Sequence, residues 1–416
     1  YKMVKLEKYS SYKDIGVEWL GEIPEHWKIM KTTHVFNKIG SGTTPTSTDT
    51  KYYDGEINWL QTGDLTDNII SETSKKITYK ALKDFSTLKI YPKNSLVIAM
   101  YGATIGKAGI LDIETATNQA CCVLSNAKQI LEKYAFYWFL ASKNNIISMG
   151  YGGGQPNISQ DLIKSLRMTI PTKAEQTKIA SFLDEKTAQI DEVISQKEKL
   201  IELLKERKQI VINDAVTKGL DKDVEFVDSG VEWIGNIPKH WEVIKFKHLF
   251  YEKKKTHDIS LNCGSISFGK IVEKNDEKIP ASTKASYQVL NKGEFLINPL
   301  NLNYDLKSLR IGLSDLDVVV SSGYIIIKNK ENIDKIYFNW LLHRYDIAFM
   351  KTLGAGVRQT LNFGDIAETL LVNPPIDEQM QIAEYIENQT TKIDKAIELQ
   401  QNYISKLKEY KASLID

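Results

Sequence analysis

Asn373-Pro374-Pro375-Ile376 is the stretch of this 416-residue chain whose residue types come nearest to a reacting site. An Asn-Pro-Pro-aromatic tetrad can hold the amino group of a flipped base while the aromatic ring stacks on it. Here the fourth residue is Ile376, which cannot stack in that way, and no Gly-rich cofactor loop follows a strong strand upstream. Gly150-Tyr151-Gly152-Gly153-Gly154 lacks both the strand–helix frame of a dinucleotide loop and the Gly-Lys-Ser/Thr of a phosphate loop. Four of the six histidines (His26, His34, His240 and His248) sit in a repeated segment beside Trp27 and Trp241, where packing explains them better than catalysis. Cys121 and Cys122 are adjacent and poorly placed to pair, Cys263 stands alone, and no zinc spacing is present. The cysteine pattern fits a reducing cytoplasm. These residues lead us to expect no catalytic, cofactor-binding or metal-binding site in this chain.

A second kind of chemistry is better represented. Gly40-Ser41-Gly42-Thr43-Thr44-Pro45, Tyr101 to Lys107, and Tyr151-Gly152-Gly153-Gly154-Gln155-Pro156-Asn157 are polar, glycine-bearing loops in the first half. Asn298 to Arg310 and Gly354-Ala355-Gly356-Val357-Arg358-Gln359 are their counterparts in the second. Glycine permits close backbone approach to a duplex, Asn, Gln and Arg offer bidentate hydrogen bonds to base edges, and Lys or Thr can hold phosphates. A turn that simply needs glycine is the alternative for each loop taken singly. The matching positions of Gln155 and Arg358-Gln359, each after a glycine cluster, favour contact with a duplex. We therefore select Thr43, Thr44, Lys107, Gln155 and Asn157 in the first half, and Asn301, Asn303, Arg310, Arg358 and Gln359 in the second, as candidate DNA-binding residues. The run Lys253-Lys254-Lys255 suits a solvated loop and phosphate contact equally well. Formal net charge is only +1, so binding to nucleic acid must come from local basic faces.

The elements that carry these loops are written twice. Residues Gly16 to Phe36 read GVEWLGEIPEHWKIMKTTHVF, and Gly230 to Phe250, 214 positions on, read GVEWIGNIPKHWEVIKFKHLF, with 12 of 21 positions identical. A second echo starts at Pro171 (PTKAEQTKIASFLDEKTAQIDEV) and again at Pro374 (PPIDEQMQIAEYIENQTTKIDKA), 203 positions on. Such duplication predicts a tandem repeat with pseudo-twofold symmetry and termini lying close together. Each second echo reads as a long helix. Its apolar seam runs Ile190, Ile194, Ile201, Leu204 in one copy and Ile393, Ile397, Ile404, Leu407 in the other, stepping by fours and threes as in a coiled coil. Lys197 and Lys208, like Gln400 and Lys411, interrupt the seam with polar groups that favour one register. The 30 residues from Asp184 to Asn213 span about 45 Å. The segments between, rich in β-branched and aromatic residues, read as short strands of a mixed α+β domain. The aromatic stretches Tyr134 to Leu140 and Ile336 to Leu342 read as helices in its core.

Together these motifs resemble the specificity subunit of type I restriction–modification enzymes. The resemblance rests on Val17 to Trp27 and its copy Val231 to Trp241, and on Pro171 to Ile179 and its copy Pro374 to Ile382. In the first variable unit Gly42-Thr43-Thr44-Pro45, Gly55-Glu56-Ile57-Asn58-Trp59-Leu60 and Thr117-Asn118-Gln119-Ala120 add to it. It implies an α+β fold with two α/β target-recognition domains (residues 1–171 and 219–373). Two long helices (residues 172–218 and 374–416), packed as an antiparallel coiled coil, separate them. Each domain would read half of an asymmetric bipartite site in double-stranded DNA, while the helices set the gap and dock two modification subunits. By the same resemblance S-adenosylmethionine, ATP and Mg belong to the modification and restriction subunits, and this chain is not itself an enzyme. Two other readings stay open: an adenine DNA methyltransferase acting alone, and a two-site protein scaffold without DNA readout. No apolar run approaches ~20 residues and no signal-peptide pattern is seen, so a cytoplasmic protein without membrane contact is expected.

Overall fold

A computed structural model describes residues 8–150, 157–300, 309–354 and 360–416. By its internal contacts the chain divides into two units, Tyr1–Gln196 with Asn402–Asp416, and Lys197–Gln401. Each unit is α+β. No helix among the described residues is long and apolar enough to cross a membrane.

The first unit is built on a five-stranded sheet in the order Phe36–Gly40, Cys121–Ala127, Leu96–Ala99, Ala108–Leu111, Asn68–Ile70. Its pairs are antiparallel except the last, which is parallel. The central strands are apolar throughout because both faces are covered, and side chains alternate between the faces. Leu96, Ile98, Cys122 and Leu124 lie in the cluster with the aromatic helix Glu132–Ala141, whose Tyr134, Phe136, Tyr137, Trp138 and Phe139 are buried. Val97, Ala99, Cys121 and Val123 join Leu60, Leu65 and Tyr91 on the opposite face. Adjacent Cys121 and Cys122 thus belong to opposite layers, and both are free and buried. Burial raises both thiols, Cys122 to about 12, which makes them inert. A smaller sheet of Ala116–Thr117, Tyr53–Leu60 and Lys75–Ile77 stands beside this core.

In the second unit the sheet order is Phe250–Glu252, Ile325–Asn329, Phe295–Ile297, Ile311–Leu313, antiparallel throughout. Phe295, Ile297, Ile325 and Ile327 cluster with Tyr337, Phe338, Leu341, Leu342 and Tyr345 of the helix Lys335–Ala348. Leu296 and Ile326 face the other way, onto Leu290, Val318 and Val320. The strands and aromatic helices therefore stand where the β-branched runs and aromatic stretches suggested.

The repeated segments do the same structural work in each unit. Tyr12–Asp14 pairs with Glu22–Pro24 in the register Tyr12↔Pro24, and Phe226–Asp228 pairs with Asn236–Pro238 in the register Phe226↔Pro238. The intervening turn needs a left-handed residue, supplied by Gly16 (φ 64°) and Gly230 (φ 69°). The second echo begins the helices Lys173–Lys218 and Ile376–Ile415.

The two echoes meet at the start of each helix. Glu175 sits in a capping box with Thr172: the Thr172 N–H donates to Glu175 Oε2 (2.9 Å), and the Glu175 N–H donates to Thr172 Oγ1 (3.3 Å). Its other oxygen contacts His26 Nε2 (2.7 Å) and accepts from Trp27 Nε1 (3.3 Å). Burial pushes the Glu175 carboxyl up, but the hydrogen bonds from Thr172, His26 and Trp27 outweigh it and hold the carboxyl at about 2. Glu378 repeats the arrangement with His240 (2.7 Å) and Trp241 (2.9 Å). His26 and Trp27, with their copies His240 and Trp241, are therefore joinery.

Each unit also holds a pairing between the two long helices. In the second unit Lys197 Nζ donates to Gln400 Oε1 (2.8 Å), and Lys208 reaches Asp394 (2.7 Å), so one helix rises in number as its neighbour falls. In the first, Lys411 reaches Asp191 (2.6 Å). Ile190, Ile194, Ile201 and Ile404 are buried, while Leu204, Ile393, Ile397 and Leu407 are half-buried. The polar residues that interrupt the apolar seam are thus the ones that cross-link it.

Candidate nucleic-acid interface

In the first unit one end of the five-stranded sheet gathers the selected loops. Phe36–Gly40 and Leu96–Ala99 end there and Cys121–Ala127 begins there, because the middle strand is antiparallel to both neighbours. Gly42 donates its N–H to the Asn118 carbonyl (3.3 Å), and Asn118 donates to the Leu60 carbonyl (3.1 Å). A Cβ on Gly42 would lie 1.8 Å from the Thr117 carbonyl oxygen, so only glycine fits. Thr44 Oγ1 donates to Gln119 Oε1 (2.7 Å), and the Tyr53 hydroxyl fixes the Pro45 carbonyl (2.6 Å). The motifs Gly42–Pro45, Gly55–Leu60 and Thr117–Ala120, far apart in sequence, are one constellation.

The remaining first-unit candidates adjoin it. Met100 N–H donates to the Ala120 carbonyl (2.8 Å), and the Met100 carbonyl accepts from Ile158 N–H (2.8 Å), which brings Asn157 to the same sheet end. The turn from Tyr101 to Lys107 springs from this point, closed by Gly106 N–H to the Ala99 carbonyl (2.9 Å). Asn157 is exposed, while Thr43, Thr44 and Lys107 are half-buried. Gln155 lies outside the described residues. Sequence reasoning passed over Gln119. Its carboxamide contacts both Thr44 and the Tyr101 phenol, whose proton affinity burial raises. The Thr117–Ala120 motif carried the signal, but only the sheet places it against Thr44.

The second unit builds its counterpart around a buried carboxylate. Asn298 N–H donates to the Arg310 carbonyl (2.8 Å), and the Arg310 guanidinium donates back to the Leu300 carbonyl. The Arg310 N–H donates to Asp346 Oδ2 (2.5 Å), and Leu361 N–H donates to the Pro299 carbonyl (3.3 Å). Asn298 to Leu300, Arg310, Asp346 and Leu361 are thereby tied into one knot. Arg310 is only 7% exposed, and its guanidinium is turned toward the Leu300 carbonyl. Asn301, Asn303, Arg358 and Gln359 lie outside the described residues. Burial raises Asp346 to about 6, against the opposing pull of the Arg310 N–H and the Lys351 and Arg310 charges. Burial also lowers His343, on the same helix, to about 4 and keeps it neutral at pH 7.

Two ambiguous stretches take definite roles. Lys253 is half-buried, its ammonium held by Glu294 (2.7 Å), Asn291 Oδ1 (2.6 Å) and the Val289 carbonyl (3.0 Å). Lys255 donates to the Ser322 carbonyl (2.8 Å). The Asn373 carboxamide accepts from Gln379 Nε2 (3.2 Å), and Ile376 begins a long helix, so the tetrad forms a helix lead-in. Among the described residues no cluster of three or more His, Cys, Asp or Glu is arranged to hold a metal ion.

Residues 24–203 match the type I restriction modification DNA specificity domain. Over most of its length the chain is also similar to type I restriction enzyme specificity subunits. It is 24% identical over 397 residues to the type I restriction enzyme MjaIX specificity subunit of Methanocaldococcus jannaschii, covering 90% of this chain and 88% of that one. The MjaVIII specificity subunit of the same organism is 25% identical over 422 residues, covering 95% and 92%. A chain from a structure described as showing complex assembly and conformational transition of the type I R-M system shares the fold. Its TM-score is 0.70 at 13% identity, over 95% of this chain and 97% of that one.

Proposed function

We propose that this chain is the DNA-reading subunit of a type I restriction–modification enzyme and is itself non-catalytic. Each α+β unit reads one half of an asymmetric bipartite target in double-stranded DNA. The long helices, paired as an antiparallel coiled coil, set the gap and dock two modification subunits. Those subunits and the restriction subunits supply S-adenosylmethionine, ATP and Mg. Thr43, Thr44, Lys107, Gln155 and Asn157 are the proposed contacts of the first unit. Asn301, Asn303, Arg358 and Gln359 are those of the second, with Arg310 bracing the base of its loop.

The observation that carries this reading is the division of labour inside each unit. The repeated motifs form joints and helix pairings, while in the first unit the described variable segments around Gly42, Asn118 and Asn157 meet at one sheet end. A common frame with divergent tips suits two readers of different sequences. The 203-residue offset converts Lys208 into Lys411 and Asp191 into Asp394, so Lys208–Asp394 and Lys411–Asp191 are one contact made reciprocally. Lys197–Gln400 joins a position to its own copy.

The test is sequencing of methylated adenines in a host carrying this gene with its modification partner, and again after residues 241–372 are replaced by another recognition domain. A bipartite motif in which only one half changes is expected. No motif, or one indifferent to the exchange, would refute the proposal in favour of a protein scaffold.

A further inference from the structure

Each long helix is gripped at its first turn by two consecutive side chains, the same two in both units. Gln176 is fully buried and Gln379 nearly so, at 2% exposure. Gln176 Oε1 accepts from Leu131 N–H (2.7 Å), the N-cap of the aromatic helix, and its Nε2 donates to the carbonyls of Gln129 and Pro171 (3.0 Å each). Gln379 Oε1 accepts from Asp334 N–H (2.8 Å), the N-cap of the other aromatic helix, and its Nε2 donates to Asn373 Oδ1 (3.2 Å) and the Pro374 carbonyl (2.8 Å). Both donor and acceptor ends of each carboxamide are engaged, so turning it would strand buried polar groups.

The neighbouring glutamates grip different partners, His26 and Trp27 in one unit and His240 and Trp241 in the other. Consecutive residues on a helix point about 100° apart. One grip alone would leave a hinge. Two grips in different directions fix both the tilt and the roll of the helix against its α+β body.

A spacer measures distance only if its ends do not swing. A body of about 150 residues has a radius of gyration of about 15 Å, so a swing of roughly 13° displaces its reading surface by one base-pair rise of about 3.4 Å. We propose that Glu175-Gln176 and Glu378-Gln379 are positioning residues that determine how strictly the enzyme holds the gap between its half-sites, without touching DNA. This rests on the bipartite reading proposed above.

The test compares Glu175→Ala/Glu378→Ala with Glu175→Gln/Glu378→Gln, each in the full chain expressed with its modification partner. Methylated adenines are sequenced genome-wide. The alanine pair is expected to mark the same two half-sites at gaps one base pair shorter or longer, at least tenfold more often than the unsubstituted enzyme. The glutamine pair keeps an acceptor for the tryptophan N–H and should restore the single gap. A single unchanged gap in the alanine pair overturns the inference. Altered half-site letters overturn it as well, since the pair would then act within base reading. So does loss of methylation at every gap alike in both pairs, which would make these residues folding determinants only. If the unsubstituted enzyme marks no bipartite motif, the underlying reading fails first, whatever the variants do.

Discussion

Asp346→Asn should stabilise the second unit, and only above about pH 5. Two effects compete at this carboxyl. Burial favours the neutral form, whereas the Arg310 N–H and the charges of Lys351 and Arg310 favour the anion. Burial wins, because the pKa lies at about 6 against an ordinary 3.8. A shift of about 2 units amounts to roughly 3 kcal/mol. A carboxyl whose folded-state pKa is raised contributes fully to stability below pH 4, and that contribution is lost as pH rises through 6. Asparagine is neutral at every pH and retains an oxygen to accept the Arg310 N–H. The substitution should therefore be nearly silent at pH 4 and worth about 2–3 kcal/mol at pH 7.5. Hydrogen exchange of helix Lys335–Ala348, corrected for the intrinsic rate at each pH, measures this directly. A destabilised helix at pH 7.5 would refute the reasoning and make the carboxylate's pairing with Lys351 and Arg310 the dominant effect, as in a buried ion pair broken from one side.

Other predictions concern the reading loops and the helix pairing. Gly42→Ala should disrupt the Gly42–Asn118 contact and abolish discrimination at the first half-site while leaving the second intact, read as methylation of targets altered in one half at a time. Arg358→Ala or Gln359→Ala should cost about 1–3 kcal/mol in DNA binding and relax one position of the second half-site. Unchanged affinity and preference would remove that residue from the set of contacts. Lys208→Ala and Asp394→Ala, combined in a double-mutant cycle, should show a coupling of only about 0.2–1 kcal/mol by denaturant titration, because the Asp394 side chain is 58% exposed. DNA affinity of the assembled enzyme should fall linearly in log–log form with salt, and the slope should be shallower for this chain alone if its partners supply part of the phosphate contact.

The sequence by itself determined the repeat, the family resemblance and the element types. Duplication writes the same contacts twice, so Gly16 and Gly230, or Glu175 and Glu378, declare a shared role through their matching places in the repeat. Apolar periodicity likewise announces a helix through Ile190, Ile194 and Ile201, because that spacing reflects the helix's own geometry. What tertiary structure alone decided is which polar groups face inward. Arg310 and Lys253 have the composition of DNA-contacting residues, yet one braces the base of a loop and the other neutralises buried Glu294. Gln119 became a candidate only when the sheet set it against Thr44. Asp346 carries no motif at all, and only its position beneath the Arg310 N–H gives it meaning. The physical reason is that a charged or amide side chain serves water, backbone or ligand equally well. Sequence spacing records which chain segments are periodic, whereas the fate of a hydrogen-bonding group depends on what long-range packing leaves beside it.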